Sequence, residues 1–386
     1  MLHRANDSNQ QMTLFDETAS SWLVENPRYL SEQIITYLGN KRALLSFIGT
    51  GVKFVKKELG KDKLDVFDVF SGSGIVARSL KKDARIIYAN DIEPYSCIIN
   101  ECYLTDETPE LRAALRETCL RLREETAANL APGFITELYS PADDAHPKSG
   151  ERVFYTRRNA QYIDTARACI GRLEPGLQKF FLAPLMAEAS VHANTSGVFK
   201  GFYKDRNGVG CFGGAGKHAL QRILGNIELH EPVLSRFSCA SEVLQMDALA
   251  AAGSVPEVDL AYLDPPYNQH PYGANYFMLN LIVDNQRPLD ISKVSGIPTN
   301  WNRSPYNKPQ LAREALFAVI ENIKAKYVLV SYNSEGFIQY DELESFMARL
   351  GRLWIFEQQY NTFRGSRNLR GRDIHVQEYL FLVKKG

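Results

Sequence analysis

Leu64-Asp65-Val66-Phe67-Asp68-Val69-Phe70-Ser71-Gly72-Ser73-Gly74 is an apolar run that stops at two glycines, and a helical stretch over 75–82 follows it. Residues 85–89 then read as a second strand, closed by Asn90-Asp91. Strand, tight turn, helix and strand in that order make a βαβ unit, which requires a parallel sheet covered by helices on its faces. Glycines at the strand-to-helix turn let the backbone approach a ligand, because no Cβ stands in the way. A phosphate-binding loop needs Lys followed by Ser or Thr after the glycines, and Ile75-Val76 stand there instead. A dinucleotide fingerprint needs a further glycine where Ala77 stands, so it remains a rival on the local pattern alone. About twenty residues on, Asp91 ends the second strand, where an acid accepts both ribose hydroxyls of an adenosine ligand. Turn and acid together point to a nucleoside cofactor without saying which.

Outward from this unit, strands over 242–246, 258–263, 327–332, 352–359 and 376–384 continue the sheet. The alternation breaks between about 105 and 237. There 111–130 reads as a long helix, further helices start at Asn159 and Gly176, and a Gly-rich, aromatic, basic segment spans 196–216. We therefore expect one α/β domain built from residues 1–104 and 239–386, with 105–238 inserted into it. Residues 1 to about 30, polar and mixed, read as a loosely held arm.

At 386 residues the chain suits two units or one domain with a large insertion. Apolar residues make up 45% and charged residues 23%, as in a globular protein. No run approaches a membrane span and no leader-like stretch opens the sequence, so a cytoplasmic location is expected. The six cysteines form no C-x-x-C pair, which argues against a disulfide framework and a structural zinc site. The net charge is zero, yet from Lys148 to Arg222 twelve Lys or Arg stand against five acids. Such a stripe is what phosphate contacts need, although a solvated helical face is the commoner origin of a charge cluster.

Asp264-Pro265-Pro266-Tyr267 directly follows the apolar run 258–263. It places a carboxylate, carbonyls without competing N–H groups, and an aromatic ring at the mouth of a strand. Those parts suit the exocyclic amine of adenine or cytosine, whose lone pair is delocalised into the ring. A carboxylate and a fixed carbonyl localise that pair by binding the two N–H protons, while a ring stacks on the base. An ordinary strand end followed by a Pro-Pro turn is the alternative on the tetrapeptide alone.

Taken with the glycine turn, the tetrapeptide resembles that of the amino-group DNA methyltransferases, specifically the Dam-like adenine methyltransferases of the alpha arrangement. Four elements carry the likeness in the family's order: Tyr37-Leu38-Gly39-Asn40-Lys41-Arg42-Ala43-Leu44-Leu45, the stretch Asp68 to Gly74, the acid of Asn90-Asp91, and Asp264 to Tyr267. The resemblance implies a doubly wound, mostly parallel, seven-stranded Rossmann-like methyltransferase sheet with a helical, loop-bearing insertion. It implies S-adenosyl-L-methionine as cofactor, lined by Tyr37, Phe70, Gly72 and Gly74. Asp68 and Lys41 would face its methionine amine and carboxylate, Asp91 its ribose, and Asp247 its adenine. Asp264 and the Pro265 carbonyl would hold the target amine, with Pro266 and Tyr267 completing the motif. No metal is required.

The target base must leave the duplex to reach such a pocket. Tyr272 and Asn275 follow the motif and are expected to hold the flipped nucleotide or its phosphates. Lys200, Tyr203, Lys204, Arg206 and Lys217 sit among glycines in a segment expected to form a hairpin or loop entering a groove. Arg364 and Arg367 belong to a second basic run expected to grip phosphates. The partners implied are double-stranded DNA and a separate cognate restriction endonuclease, for an enzyme acting as a monomer or weak dimer. Rival readings are methylation of cytosine, of an RNA base or of a glutamine side chain, and a non-catalytic DNA-binding relative.

Overall fold

A computed structural model describes residues 24–361 and 375–386. Strands β1 (Leu64–Asp68), β2 (Ala84–Asp91), β3 (Ala240–Gln245), β4 (Val258–Leu263), β5 (Ala325–Asn333), β6 (Gly351–Asn361) and β7 (His375–Lys385) form one sheet. Their order is β3-β2-β1-β4-β5-β7-β6. The first five are mutually parallel, and β7 runs antiparallel between β5 and β6. Each expected strand is present, with ends displaced by a few residues. The side of β1 on which the order reverses lies against β4, and their carboxyl ends open a crevice, the usual ligand site of such sheets.

The chief helices are α1 (Leu45–Leu59), α2 (Ile75–Leu80), α3 (Pro94–Tyr103), α4 (Pro109–Ala128), α5 (Phe134–Tyr139), α6 (Arg157–Ile170), α7 (Pro175–Val191), α8 (Ala248–Ser254), α9 (Phe277–Asp284), α10 (Pro309–Asn322) and α11 (Tyr340–Leu350). On one face of the sheet Phe67, Ala261, Leu263 and Val328 pack with Ala251 of α8, Leu316 and Ile320 of α10 and Phe346 of α11. On the other, Val66, Ile87, Leu260 and Leu329 pack with Ile48 and Val52 of α1 and Val76 of α2. Because both faces are covered, β4 is buried at every position, and its sequence reads as a nearly continuous apolar run rather than an alternating one.

Helices α4 to α7 fill the gap in the alternation. They share a core with α3 and α9, in which Tyr95, Ile99, Phe154, Phe181 and Phe277 are buried together. Thr108 starts α4 by accepting the Leu111 amide at 3.1 Å, with Pro109 in the first turn where a missing N–H costs nothing.

The loose arm expected over residues 1 to about 30 lies outside the described residues as far as 23. Beyond that the expectation is corrected. Tyr29 is fully buried, donates its hydroxyl to the Tyr103 carbonyl and lies under the Arg78 guanidinium, 4.7 Å from the ring centroid. An aromatic ring whose hydroxyl finds a partner gains more by docking than by staying solvated. Among the described residues no helix is long and apolar enough to cross a membrane.

Candidate active site

At the end of β1 the chain turns through Gly72 and Gly74, with φ of +51° and +73°. Both lie in the left-handed region, which a side chain disfavours. A Cβ at Gly72 would also come within 2.8 Å of the Tyr37 ring. Asn90, nearly inaccessible on β2, knits the neighbouring strand ends. Its amide nitrogen donates to the Val69 carbonyl at 3.1 Å, its carbonyl accepts both the amide and the hydroxyl of Ser71, and its Oδ1 receives the Met246 amide. From the helix behind, Ser96 Oγ donates to the Gly72 carbonyl at 2.6 Å.

The crevice takes in about 930 Å³ of non-atom space, open solvent included. Tyr37, Lys41, Asp68, Phe70, Gly72, Asp91 and Asp247 all line it, together with Asp264 and Pro266. Gly74 sits behind the turn, packed toward Asn100. Asp68 is 1% exposed, and its carboxylate has no side-chain partner and at most weak contacts from the Ala77 and Phe70 amides. Burial, followed by the charges of Asp264 and Asp91, pushes its pKa up to about 8. Leaving a buried acceptor unsatisfied costs about 1–3 kcal/mol, more if charged, so Asp68 is open to a donor from outside the chain. Asp91 already accepts the Gly72 amide at 2.8 Å and the Glu93 amide at 3.0 Å, which fixes its carboxylate at the cavity wall. Asp247 caps α8 by accepting the Leu249 amide at 2.9 Å. Phe70 meets Tyr306 edge to face, ring centroids 5.0 Å apart.

Opposite the glycine turn, Asp264 leaves β4 with its side chain 17% exposed. The strand register sets Asp68 beside Tyr262, two residues before Asp264, so the two acids share one end of the sheet. Lys41, 3% exposed, is expected to face a cofactor carboxylate. Instead its ammonium lies 2.7 Å from Glu378 Oε1 and 3.2 Å from Asp264 Oδ1. The reason is electrostatic: burial lowers a lysine's pKa, but the charges of Asp264 and Glu378 outweigh it and hold Lys41 well above the ordinary value. Burial first, then Lys41 in the opposite sense and Glu378 in the same sense, leave Asp264 raised to about 6. Tyr267 stands with its ring centroid 5.6 Å from the Lys41 ammonium and meets Tyr332 edge to face at 6.0 Å.

Glu378 and Glu93 were missed in the sequence. Glu378 shares the period-two parity of Val376, Leu380 and Leu382, all buried, so an acid at that position of an apolar strand was the available signal. Glu93 lies in Asn90 to Pro94 beside the acid that was read. It lines the cavity, accepts from Asn280 at 2.7 Å and Asn302 at 3.4 Å, and is raised to about 7, chiefly by burial.

The residues after the motif brace the lysine segment. Tyr272 stacks on Tyr37 at 5.0 Å and donates its hydroxyl to the Leu38 carbonyl, while the Tyr276 hydroxyl accepts the Leu38 amide at 2.8 Å. Asn275 is 2% exposed, which corrects its expected contact with DNA: it is core, and its carbonyl receives the Phe199 amide at 2.7 Å. That bond roots the Gly-rich basic segment beside the site, and a Cβ at Gly197 would lie 3.0 Å from Thr36. Buried Asn194 then holds the segment, donating to the Val153 and Cys211 carbonyls and accepting the Gly213 amide. Between Tyr203 and Cys211 the chain folds back on itself through an antiparallel bridge, Lys204 to Gly210. Lys200, Arg206 and Lys217 are exposed there, and Tyr203 and Lys204 half-buried. Arg364 and Arg367 lie outside the described residues.

A doubly wound sheet thus brings the glycine turn with Asp68 and the Asp-Pro-Pro-Tyr segment with Asp264 to one crevice, the arrangement of an enzyme acting with a nucleoside-like ligand. The chain belongs to the D12 class N6 adenine-specific DNA methyltransferases, whose family model matches residues 37–346. Among its relatives, type II methyltransferase M.CviAII of Paramecium bursaria Chlorella virus 1 is 27% identical over 355 residues, covering 88% of this chain and 98% of that protein. Type II methyltransferase M.NlaIII of Neisseria lactamica is 27% identical over 363 residues, covering 91% and 99%. Type II methyltransferase M.FokI of Planomicrobium okeanokoites is 27% identical over 364 residues, 90% of this chain but 52% of that longer protein. The enzyme is thus an adenine-specific DNA methyltransferase, and the cytosine, RNA, glutamine and non-catalytic readings fall away.

Proposed function

We propose that the methyl donor is S-adenosyl-L-methionine, and that the target adenine reaches Asp264 after rotating out of duplex DNA. The observation that carries this reading is the pair of acids, Asp68 without a side-chain partner and Asp264 only partly neutralised, facing one cavity. Asp68 suits the donor's ammonium and Asp91 its ribose, while Phe70 and Asp247 flank its adenine. When bound, the donor supplies an electrophilic methyl group on a positively charged sulfur. Asp264 and the Pro265 carbonyl receive the two protons of the target amine, and Tyr267 stacks on the base. A carboxylate cannot deprotonate a neutral aromatic amine outright, so Asp264 takes the proton as positive charge builds on nitrogen. The bonding pair of the broken N–H stays on the base. Positioning donor and acceptor contributes most of the acceleration, up to about 7–11 kcal/mol in favourable cases.

The inserted region 105–238 is the proposed target-recognition part, with its Gly-rich basic segment entering a groove. Its root beside Thr36 and Asn275 supports this, because exposed cations then stand near the mouth of the site. Relatives that are type II methyltransferases support a separate cognate endonuclease and a cytoplasmic enzyme. Incubation with methyl-labelled S-adenosyl-L-methionine and unmethylated duplex DNA, followed by single-molecule sequencing, tests the reading. Label on adenine N6 at one short recurring sequence is expected; no transfer from this donor would overturn it.

A further inference from the structure

Glu378 is fully buried on β7, and the motif residues do not include it. Its Oε1 receives Lys41 Nζ at 2.7 Å and Ser331 Oγ at 2.6 Å. Its Oε2 makes no hydrogen bond with any described residue. As a device for stability this is poor. A buried ion pair offsets its desolvation only when the remaining lone pairs are satisfied, and apolar residues of similar volume often serve better. The same ammonium lies 3.2 Å from Asp264 Oδ1, a longer and less well aligned contact than the one to Glu378. Lys41 therefore gives its best-aligned N–H to Glu378 and acts on Asp264 chiefly through its charge.

We infer that Glu378 is a positioning residue of the methyl-transfer reaction: it draws Lys41 away from Asp264, so that Asp264 keeps a lone pair free to take the proton of the target amine. The inference rests on Asp264 being the proton acceptor. Without the second carboxylate, Lys41 would hydrogen-bond Asp264 directly, and the acid that must accept a proton would be locked in an ion pair. The groups facing Asp264 are Lys41 ahead of α1, Asp68 at the end of β1, Tyr262 on β4, Glu378 on β7 and the phenols of Tyr267 and Tyr272. Two carboxylates, Asp264 and Glu378, share one ammonium, so Lys41 does not fully neutralise Asp264, which favours the cationic character that develops on the amine. The proton then leaves nitrogen for Asp264 and its bonding pair stays on the base. Glu378 acts throughout without touching the substrate.

Glu378→Gln keeps an acceptor for Lys41 and Ser331 but removes the charge, returning Lys41 to Asp264. Two readouts apply. In the donor-free protein, the Asp264 carboxyl band, assigned by infrared difference against Asp264→Asn, should titrate about one pH unit lower than in wild type. The acid limb of the kcat profile should move the same way, with kcat at neutral pH down about tenfold and S-adenosyl-L-methionine affinity by calorimetry within about twofold. A Glu378→Gln protein with a lowered melting temperature but an unmoved Asp264 titration overturns the inference. Where that variant does not fold, Glu378→Asp, which withdraws the carboxylate by one methylene, should shift both readouts in the same direction by less, and an unmoved titration there is equally fatal. An Asp264→Asn enzyme that still turns over would instead overturn the proton-acceptor reading itself.

Discussion

Asp259, at the start of β4, and Asp68, at the end of the neighbouring β1, are both almost inaccessible to solvent. At Asp259 every demand is met: Lys61 donates to both oxygens at 2.8 Å, Lys326 to one at 2.9 Å, and the Asp65 amide to the other at 3.1 Å. Burial pushes its pKa up, but the bonds from Lys61, the Asp65 amide and Lys326 prevail and hold it below the usual carboxylate value. At Asp68 no side chain donates, the Ala77 and Phe70 amides contribute only weakly, and burial prevails. The opposite ends of one sheet thus hold the same side chain in two chemical states. A satisfied acid belongs to the folded chain, and an unsatisfied one to what the chain binds.

The most severe test of that contrast removes one acid from each end. Asp264→Ala should lose at least about 100- to 1000-fold in turnover, measured with labelled methyl donor, while calorimetry finds donor affinity retained. Asp259→Asn should leave turnover within about twofold and lower the unfolding midpoint, a cost of about 1–2 kcal/mol because its lysine partners are near water. Equal losses of turnover would dissolve the distinction between the two ends.

A subtler test uses protons. The folded pKa of Asp68 lies above its unfolded value, so between about pH 4 and pH 8 the folded protein binds more protons than the unfolded chain. Stability contributed by this group is complete below pH 4 and is lost as pH rises toward 8. Asp68→Asn should therefore raise the melting temperature of the donor-free protein at pH 8, leave it unchanged near pH 3.5, and weaken donor binding about tenfold or more. Asp259, with its folded pKa depressed, should behave in reverse: Asp259→Asn is destabilising at neutral pH and the difference fades as pH falls through the acid range. A melting temperature that falls in Asp68→Asn at pH 8 would mean that the acid is satisfied after all.

The smallest effect is expected at the exposed cations in and beside the Gly-rich basic segment. Lys200→Gln, Arg206→Gln and Lys217→Gln should each reduce the salt dependence of DNA binding by roughly one unit of slope, with kcat at saturating DNA unchanged. Slopes that do not move would place the phosphate contacts elsewhere on the molecule.

Local chemistry was legible in the sequence, and spatial partnership was not. The seven strands, the glycine turn and the acid at Asp91 each follow from periodicity and turn residues within a few positions of chain. Lys41 carries a motif in the sequence, but its partner is 337 positions away on a strand that inserts between β5 and β6. Chain order gives no hint of that insertion. Asn275 erred for a related reason: a polar residue beside a motif looks accessible until a neighbouring element, here the segment at Phe199, covers it. The glycines of the basic segment suggest a hairpin or loop, and the chain folds back there through one bridge, whereas the Asn194 bonds that anchor it join residues too far apart to read.

The placement of β7 carries a consequence for how the enzyme is made. Every other strand precedes it in the chain, yet it lies inside the sheet and supplies the carboxylate against which Lys41 is set. During synthesis the donor cleft, built from β1, β2 and β4, is complete in sequence long before Glu378 leaves the ribosome. A chain cut short before β7 thus carries the Asp-Pro-Pro-Tyr motif without the carboxylate against which Lys41 is set.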